Sequence, residues 1–264
     1  MSSAHALSFR SFHHADQPLL LPNAWDAASA VIQAQAGARA VGTSSAALSW
    51  ALGHRDGGVL PVPELLAAVD RITRVLQVPL TVDIEEGFSA EPGEVAGLVE
   101  ALWKAGAVGI NLEDGAGPSG LLAMKIRAIR ARLSPEVLFI NARTDVCLRG
   151  LAHGQEAVAM VKSRAREYAA AGADGLFVPG LTALAQAAEV ASATPLALNL
   201  MALPGMSGPA ELRAAGVNRL SVGPALFLSA YAGLARSTAA FLSGDASAMF
   251  DQAMGFGEME GLFG

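Results

Sequence analysis

The sequence predicts an α/β fold, a (β/α)8 TIM-type barrel in which eight strands alternate with helices. Two observations predict it. First, an alanine-rich helical pattern stops at a glycine four times, and a short apolar run follows each stop. The stops are Ala36-Gly37-Ala38, Ala105-Gly106-Ala107, Ala171-Gly172-Ala173 and Ala215-Gly216-Val217. Second, four further apolar runs lie between these units, and they begin at Leu19, Leu80, Leu138 and Leu196. Apolar strands separated by helices are typical of a buried parallel sheet.

The remaining elements follow from the same pattern in chain order. The clearest helical patterns cover residues 61–76, 92–105, 154–171 and 224–242. Residues 1–17 and 244–264 lie outside the repeat, and we expect terminal helices there. A chain of 264 residues suits one barrel, so the sequence predicts a single domain over residues 1–264. An open, doubly wound sheet is the structural alternative.

Composition excludes several classes of protein. The net charge is -6, 52% of the residues are hydrophobic and 16% are charged, so neither nucleic-acid binding nor disorder is expected. The single cysteine, Cys147, cannot form an intrachain disulfide, which favours a reducing compartment. Residues 1–16 contain no apolar signal region, and prolines with Asn199 interrupt the apolar stretch 190–210. We therefore expect a cytoplasmic protein without membrane spans.

Polar side chains follow several of the predicted strands. Because side chains alternate along a strand, those two residues apart share one face. Three such sets are Asp83 with Glu85, Asn111 with Glu113, and Asn141 with Arg143 and Asp145. If these faces point into the barrel, carboxylates and one guanidinium converge at the end where barrel enzymes carry their chemistry.

Unpaired carboxylates in a small volume repel one another, and a hard divalent cation relieves that repulsion. The all-oxygen donor set favours Mg²⁺, with Mn²⁺ second, and disfavours zinc. Arg143 would hold a substrate carboxylate through its planar fork, so the site suits a small dicarboxylate or oxo acid. Any one of these acids alone could equally be a helix cap or a solvated loop residue.

Five blocks of the sequence resemble the isocitrate lyase / phosphoenolpyruvate mutase superfamily. They are LPNAWDAASA (21–30), GTSSAALSWALGHRDG (42–57), TVDIEEGF (81–88), GINLEDG (109–115) and INARTD (140–145). AGADGLFVPG and GVNRLSVG extend the resemblance, which covers roughly residues 17–225. It implies a barrel with Mg²⁺ held largely through water. It also implies 2-oxo or 2-hydroxy acid substrates, with C–C or C–P bond chemistry through an enolate.

The resemblance also assigns roles to individual residues. Asp83 is similar to the direct metal ligand, Glu85 and Glu113 to its water-mediated partners, and Asp56 to an outer carboxylate. The residues similar to those that bind the substrate are Ser44, Ser45, Ala46, Asp83, Arg143 and, more loosely, Asn199. Arg143, Asp56 and Glu113 are thereby the candidate catalytic residues. Family members are commonly tetramers in which a C-terminal helix packs on a neighbour, so residues 224–264 would do the same in a homotetramer.

One block departs from the family pattern. Members that cleave isocitrate or methylisocitrate carry a Lys-Cys-Gly-His type loop after strand 4, whereas this chain has GAGPSGLLAMKIRAIRARL, in which Lys125 belongs to a helix. His54 and His153 are the remaining candidate proton donors, and Cys147 is expected to be a small buried hydrophobe.

The sequence therefore predicts a Mg²⁺-dependent C–C lyase for a small 2-oxo or 2-hydroxy di- or tricarboxylic acid, isocitrate-lyase-like or oxaloacetate-decarboxylase-like. The alternatives are phosphonopyruvate or phosphoenolpyruvate C–P chemistry and a non-catalytic 2-oxo acid binding protein. A further alternative is a phosphate-binding isomerase that uses Ser221-Val222-Gly223.

Overall fold

The computed structural model describes residues 2–250 and 253–263, and within them nine strand segments form one parallel sheet. The strands are β1 Leu19–Leu21, β2 Asn23–Ala24, β3 Val41–Thr43, β4 Leu80–Asp83, β5 Gly109–Glu113, β6 Phe139–Arg143, β7 Gly175–Phe177, β8 Ala197–Met201 and β9 Val217–Ser221. The helices are α1 Ser2–Phe12, α2 Ala27–Gln35, α3 Ser45–Ala51, α4 Val62–Val75, α5 Pro92–Lys104, α6 Ser119–Arg130, α7 Gly154–Ala171, α8 Leu184–Ser192, α9 Pro209–Ala214, α10 Ala225–Leu242 and α11 Phe256–Gly261.

The first barrel strand is divided in two, and this division closes the sheet. β1 pairs with β9, whereas β2 pairs with β3. Pro22 lies between the two segments and lacks a backbone N–H, but its carbonyl still accepts a hydrogen bond from Gly42 N at 2.9 Å. A proline at such a break costs the ladder little. The predicted α/β barrel is thus confirmed, and the predicted eight strands become nine segments.

The helices pack on the outside of the barrel as the glycine pattern predicts. α7 ends at Ala171 and is capped by Gly172, whose φ of 103° is left-handed and suits glycine. Leu65, Val69 and Ile72 form the buried face of α4 against the sheet. Burial of such an apolar stripe is what fixes an amphipathic helix on a barrel.

The N-terminal helix covers the end of the barrel where the strands begin. Phe9 of α1 is fully buried there with Leu19 and Phe139, which open β1 and β6. Gly109 at the start of β5 leaves room for it, because a Cβ at that position would lie 2.8 Å from Phe9 Cε1. The opposite end of the barrel, where the strands finish, stays open.

The terminal regions match the sequence prediction in part. α1 lies within residues 1–17, and α11 with the 3₁₀ turn Ser247–Met249 lies within residues 244–264. Positions 251, 252 and 264 of that second region lie outside the described residues. The apolar stretch 190–210 contains the end of α8, all of β8 and a loop, as expected.

α10 is the one described helix that is long and apolar enough to cross a membrane, judged by length and composition alone. Very little of it is buried, and Phe227 is its buried residue.

Candidate active site

The floor of the site is a row of side chains inside the barrel. Asp83, Asn111 and Asn141 occupy matching positions of β4, β5 and β6. Asn111 Nδ2 donates to Asp83 Oδ2 at 3.0 Å, and Asn141 Nδ2 donates to Asn111 Oδ1 at 2.9 Å. Thr43 Oγ1 accepts from the Asp83 backbone N–H at 2.9 Å. The carboxylate of Asp83 is therefore fixed by its neighbours before any ligand binds.

Arg143 and Glu113 form the next row, at the carboxyl ends of β6 and β5. Arg143 Nη1 lies 2.6 Å from Glu113 Oε2. Its Nε and Nη2 donate to Asp145 Oδ1 and Oδ2 at 2.7 and 3.0 Å. All three nitrogens of the guanidinium thus contact carboxylates, and the planar fork that the sequence assigned to substrate faces Asp145.

Glu85 reaches the same region by a turn. β4 ends at Asp83, so the strand alternation used to place Glu85 beside it does not apply. Glu85 has a left-handed backbone with φ of 50°, its N–H donates to Asp83 Oδ1 at 3.1 Å, and its carbonyl accepts from Glu113 N at 2.9 Å. The prediction that Glu85 lies close to Asp83 holds, but its structural reason was wrong. Asp145 likewise lies beyond the end of β6.

A cleft of about 730 Å³ opens above these rows at the carboxyl ends of the strands. Five predicted site residues line it, namely Ser45, Asp56, Glu85, Glu113 and Arg143. Asp83 lies at its base with 8% of its surface exposed. The apolar wall of the cleft is formed by Phe88, Leu121 and Leu148. Two cations that the sequence did not predict there, Lys125 and Arg149, also line it.

Four predicted substrate-binding residues lie outside the cleft lining, namely Asp83, Ser44, Ala46 and Asn199. Ser44 Oγ caps α3 by accepting from Ala47 N at 3.4 Å, and Ala46 lies within that helix. Asn199 is fully buried in the barrel, where its Oδ1 accepts from Ser221 Oγ at 3.4 Å. Ala46 is half-buried, whereas Ser44 and Asn199 are buried, so the substrate contacts assigned to them stay predictions.

Neither candidate histidine lines the cleft. His54 Nε2 lies 3.2 Å from Glu64 Oε2, and His153 immediately precedes α7.

The segment proposed to cradle phosphate also has another role. The backbone N–H groups of Val222 and Gly223 both donate to Asn23 Oδ1, each at 3.0 Å. Those amides bind a side chain of β2 in this structure.

Lys125 reaches the cleft from the helix that follows β5. β5 ends at Glu113 and α6 begins at Ser119, so the connection is short. From α6, Lys125 extends into the cleft lining and donates through Nζ to the Glu86 carbonyl at 2.6 Å. It thereby holds the turn that carries Glu85, and burial lowers its pKa. The sequence placed Lys125 on a helix correctly but gave no sign that its side chain reaches the site.

Burial, followed by the crowding of carboxyl groups, raises the pKa values of three acids in the site. Burial, with the charges of Asp56 and Asp83, raises the pKa of Glu85 to about 7. Burial and Asp83 also raise the pKa of Asp56. The pKa of Glu113 is raised by burial above all, with Asp83 and Asp145 adding to it and Arg143 opposing it. Such clustering of perturbed acids in a cleft is typical of a functional site.

A buried arginine beneath the floor escaped the sequence analysis. Arg219 of β9 is fully buried, and its Nη2 donates to Asn111 Oδ1 at 3.3 Å. Burial lowers its pKa to about 9, and the charge of Asp83 opposes that shift. Strand alternation places Arg219 on the same face as Val217 and Ser221, and that is the sequence signal that could have found it.

The residues present fit a hard divalent cation with several water ligands. The donors are carboxylate oxygens, and Glu85 Oε1 is buried without a hydrogen-bond partner. Within the described residues, no group of three histidine, cysteine or acidic side chains is placed to hold an ion together. Magnesium keeps several waters and is often bound through one or two carboxylates. The assignment of Asp83 as direct ligand, with Glu85 and Glu113 acting through water, stays a prediction.

Comparison with known proteins identifies the family. The model of the phosphoenolpyruvate phosphomutase family matches residues 9–242. The chain belongs to this family. The family lies in the isocitrate lyase / phosphoenolpyruvate mutase superfamily of lyases and mutases, which confirms the resemblance found in the sequence.

Individual relatives share the same region. An uncharacterised Mycobacterium tuberculosis protein is 38% identical over 222 residues, which cover 82% of each chain. Escherichia coli 2-methylisocitrate lyase is 31% identical over 211 residues, or 73% of this chain and 69% of that enzyme.

Two solved structures share the fold. A Burkholderia cenocepacia protein, provisionally named a phosphonomutase, is 38% identical and superposes with a TM-score of 0.85, covering 90% of this chain and 98% of that one. A phosphonopyruvate hydrolase solved with oxalate and Mg²⁺ superposes with a TM-score of 0.84 at 22% identity, covering 99% of this chain and 95% of that one. At that identity, the second likeness concerns the fold alone.

Proposed function

We propose that this protein is a Mg²⁺-dependent lyase that cleaves a C–C bond in a small 2-oxo or 2-hydroxy di- or tricarboxylic acid. The observation that carries the proposal is that Glu85 and Glu113 line one cleft with Arg143, while the buried Asp83 accepts from the Glu85 N–H next to it. Kinship with 2-methylisocitrate lyase, which is named for such a substrate, supports the reaction class.

Asp83, Glu85 and Glu113 would hold Mg²⁺, or Mn²⁺ in its place. When bound, the cation would polarise the substrate's oxygens and stabilise negative charge that develops next to the broken bond. Arg143 places a fixed positive charge beside Glu113 and so limits the repulsion between an anionic substrate and the carboxylates. Ser44, Ser45, Ala46 and Asn199 would bind the carboxylate end of the substrate.

Because this chain lacks the Lys-Cys-Gly-His type loop, other residues would have to carry out acid–base catalysis. Asp56 lines the cleft, and its raised pKa suits a group that exchanges a proton with substrate. Loss of CO2 requires little such help, because CO2 leaves without a proton. The short connection between β5 and α6 therefore favours an oxaloacetate-decarboxylase-like reaction over one that needs a strong acid at that position.

The test is turnover followed by NMR for isocitrate, 2-methylisocitrate, oxaloacetate and phosphonopyruvate, with Mg²⁺ and with chelator. We expect metal-dependent loss of isocitrate, 2-methylisocitrate or oxaloacetate, and the products identify the bond that breaks. Asp83→Ala should abolish both turnover and Mg²⁺-dependent ligand binding, whereas Asp70→Ala on the exposed face of α4 should change neither.

Other outcomes would contradict the proposal in specific ways. Turnover of phosphonopyruvate alone would establish C–P chemistry instead. Metal-dependent binding without turnover would indicate a 2-oxo acid binding protein. Ligand binding that survives Asp83→Ala would contradict the metal assignment.

A further inference from the structure

Arg149 is a second guanidinium at the mouth of the cleft, and the sequence analysis gave it no role. It lies on the connection between β6 and α7 and lines the cleft beside Leu148. Its side chain is 45% exposed, compared with 15% for that of Arg143. Connections at this end of a barrel are where substrate specificity is set.

One buried carboxylate fixes both arginines. Asp145 is fully buried and accepts from Arg143 through both of its oxygens. Its Oδ2 also accepts from Arg149 Nε at 3.0 Å. The stem of Arg149 is therefore oriented, while its outer end faces the opening.

Within the described residues, the outer nitrogens of Arg149 make no hydrogen bond, although Nη2 forms a long ion pair with Glu113. Nη2 lies 3.8 Å from Glu113 Oε1, beyond hydrogen-bonding distance. Within the part of the chain that the structure describes, neither Nη1 nor Nη2 of Arg149 donates a hydrogen bond. By contrast, Lys125 Nζ donates to the Glu86 carbonyl, and every nitrogen of Arg143 contacts a carboxylate.

The charge balance of the cleft indicates that the outer end of Arg149 can bind an anionic group. Among its described lining residues, the acids outnumber the cations, Lys125, Arg143 and Arg149. A bound divalent cation would offset the excess near Asp83 but not at the mouth. An anionic group that projects outward from the inner site therefore needs a cation of its own, and Arg149 supplies bidentate geometry for a carboxylate.

We propose that Arg149 binds the distal carboxylate of the substrate and so selects short dicarboxylates over monocarboxylates of the same length. This inference rests on the proposed function, because the substrate's other end is placed at the Asp83 site. Leu148 lies beside it in the cleft lining and faces the carbon chain between the two ends.

The test compares two ligands that differ only at the distal end. Malate and 2-hydroxybutyrate share a four-carbon chain and a 2-hydroxy acid group, but the second carries a methyl group in place of the distal carboxylate. Binding is measured by titration calorimetry with saturating Mg²⁺, and oxalate serves as a probe of the inner site alone. The variants are Arg149→Leu and Arg149→Lys, and Arg132→Leu on the protein surface is the matched control.

We expect Arg149→Leu to weaken malate binding by about 10- to 100-fold, the range for losing hydrogen bonds to a charged group. Binding of 2-hydroxybutyrate and oxalate should change by less than about threefold. Arg149→Lys should give an intermediate loss for malate, since it keeps the charge without the fork. Arg132→Leu should bind all three ligands as the unmodified protein does.

Failure of the role proposed for Arg149 can be distinguished from failure of the proposed function. If Arg149→Leu leaves malate binding unchanged, or weakens malate and 2-hydroxybutyrate equally while oxalate still binds, the distal role is wrong and the inner site stands. If the unmodified protein binds neither oxalate nor malate with Mg²⁺, both the proposed function and this inference are overturned.

Discussion

At the scale of single residues, Asp114 connects the outer helices to the candidate site. It follows Glu113 directly and is buried. Its Oδ2 accepts from Arg164 Nη1 at 2.6 Å and from the Tyr168 hydroxyl, both on α7. Its Oδ1 accepts from the Asp145 backbone N–H at 3.0 Å. Because Asp145 orients both cleft arginines, the packing of α7 helps to determine where their charges lie.

Asp114→Asn should therefore destabilise the protein strongly. The amide keeps the shape but leaves the Arg164 charge buried without its carboxylate, a change that typically costs about 3 to 5 kcal/mol. Tyr168→Phe removes one hydroxyl that donates to the same carboxylate and should cost about 1.5 to 3 kcal/mol. Urea unfolding measures both. An Asp114→Asn protein as stable as the Tyr168→Phe protein would show that the Arg164 pair contributes little.

At the scale of elements, the docking of α1 depends on a neutral histidine. His13 follows α1, and its Nδ1–H donates to the Phe9 carbonyl at 2.8 Å. Its ring stacks on Phe139 with the centroids 4.1 Å apart. Burial, together with the positive charge of Arg219, lowers the pKa of His13 to about 3. The folded protein therefore holds His13 uncharged throughout the neutral and mildly acidic range.

This predicts a loss of stability in acid that one substitution should reduce. The unfolded chain binds a proton at His13 below pH about 6.5, whereas the folded protein does not until pH approaches 3. Protonation thus favours the unfolded state, and His13 should cost about 2 kcal/mol between pH 7 and pH 5. His13→Phe keeps the stacking without the titration. Urea unfolding at pH 7, 6 and 5 should show a shallower decline for the variant, and identical slopes would contradict a neutral buried His13.

Some features of the strands and turns could be predicted from the sequence, and others could not. Strand ends follow from apolar runs and glycine stops, so Asp83, Glu113 and Arg143 could be placed together before the structure was known. Alternation fails once the chain leaves a strand, which is why the turn at Glu85 was not predicted. Long side chains also reach sites far from their own backbone. This is why the side chains of Lys125, on a helix, and Arg149, on a loop, enter the cleft. No local sequence pattern predicts how far such side chains reach.

At the scale of the whole molecule, α10 presents an apolar surface that the described residues leave largely exposed. Phe227 packs against Trp25 and Trp50, with ring centroids 5.2 and 5.6 Å away. Leu228 and Leu234, further along the helix, are 53% and 59% exposed. Contiguous exposed apolar surface usually marks an interface. We propose that a second copy of this chain covers it, as the tetramers implied by the family resemblance would require.

A charge on this surface should separate the subunits. We expect the unmodified protein to sediment at four times the 26.9 kDa chain mass. Leu234→Glu should shift it to smaller species, because a carboxylate buried in an apolar interface loses its hydration without gaining a partner. Met124→Glu on α6 is the matched control, since Met124 is 49% exposed and lies on a different helix. A monomeric unmodified protein, or a Leu234→Glu protein of unchanged mass, would mean that α10 is covered by something other than a second copy.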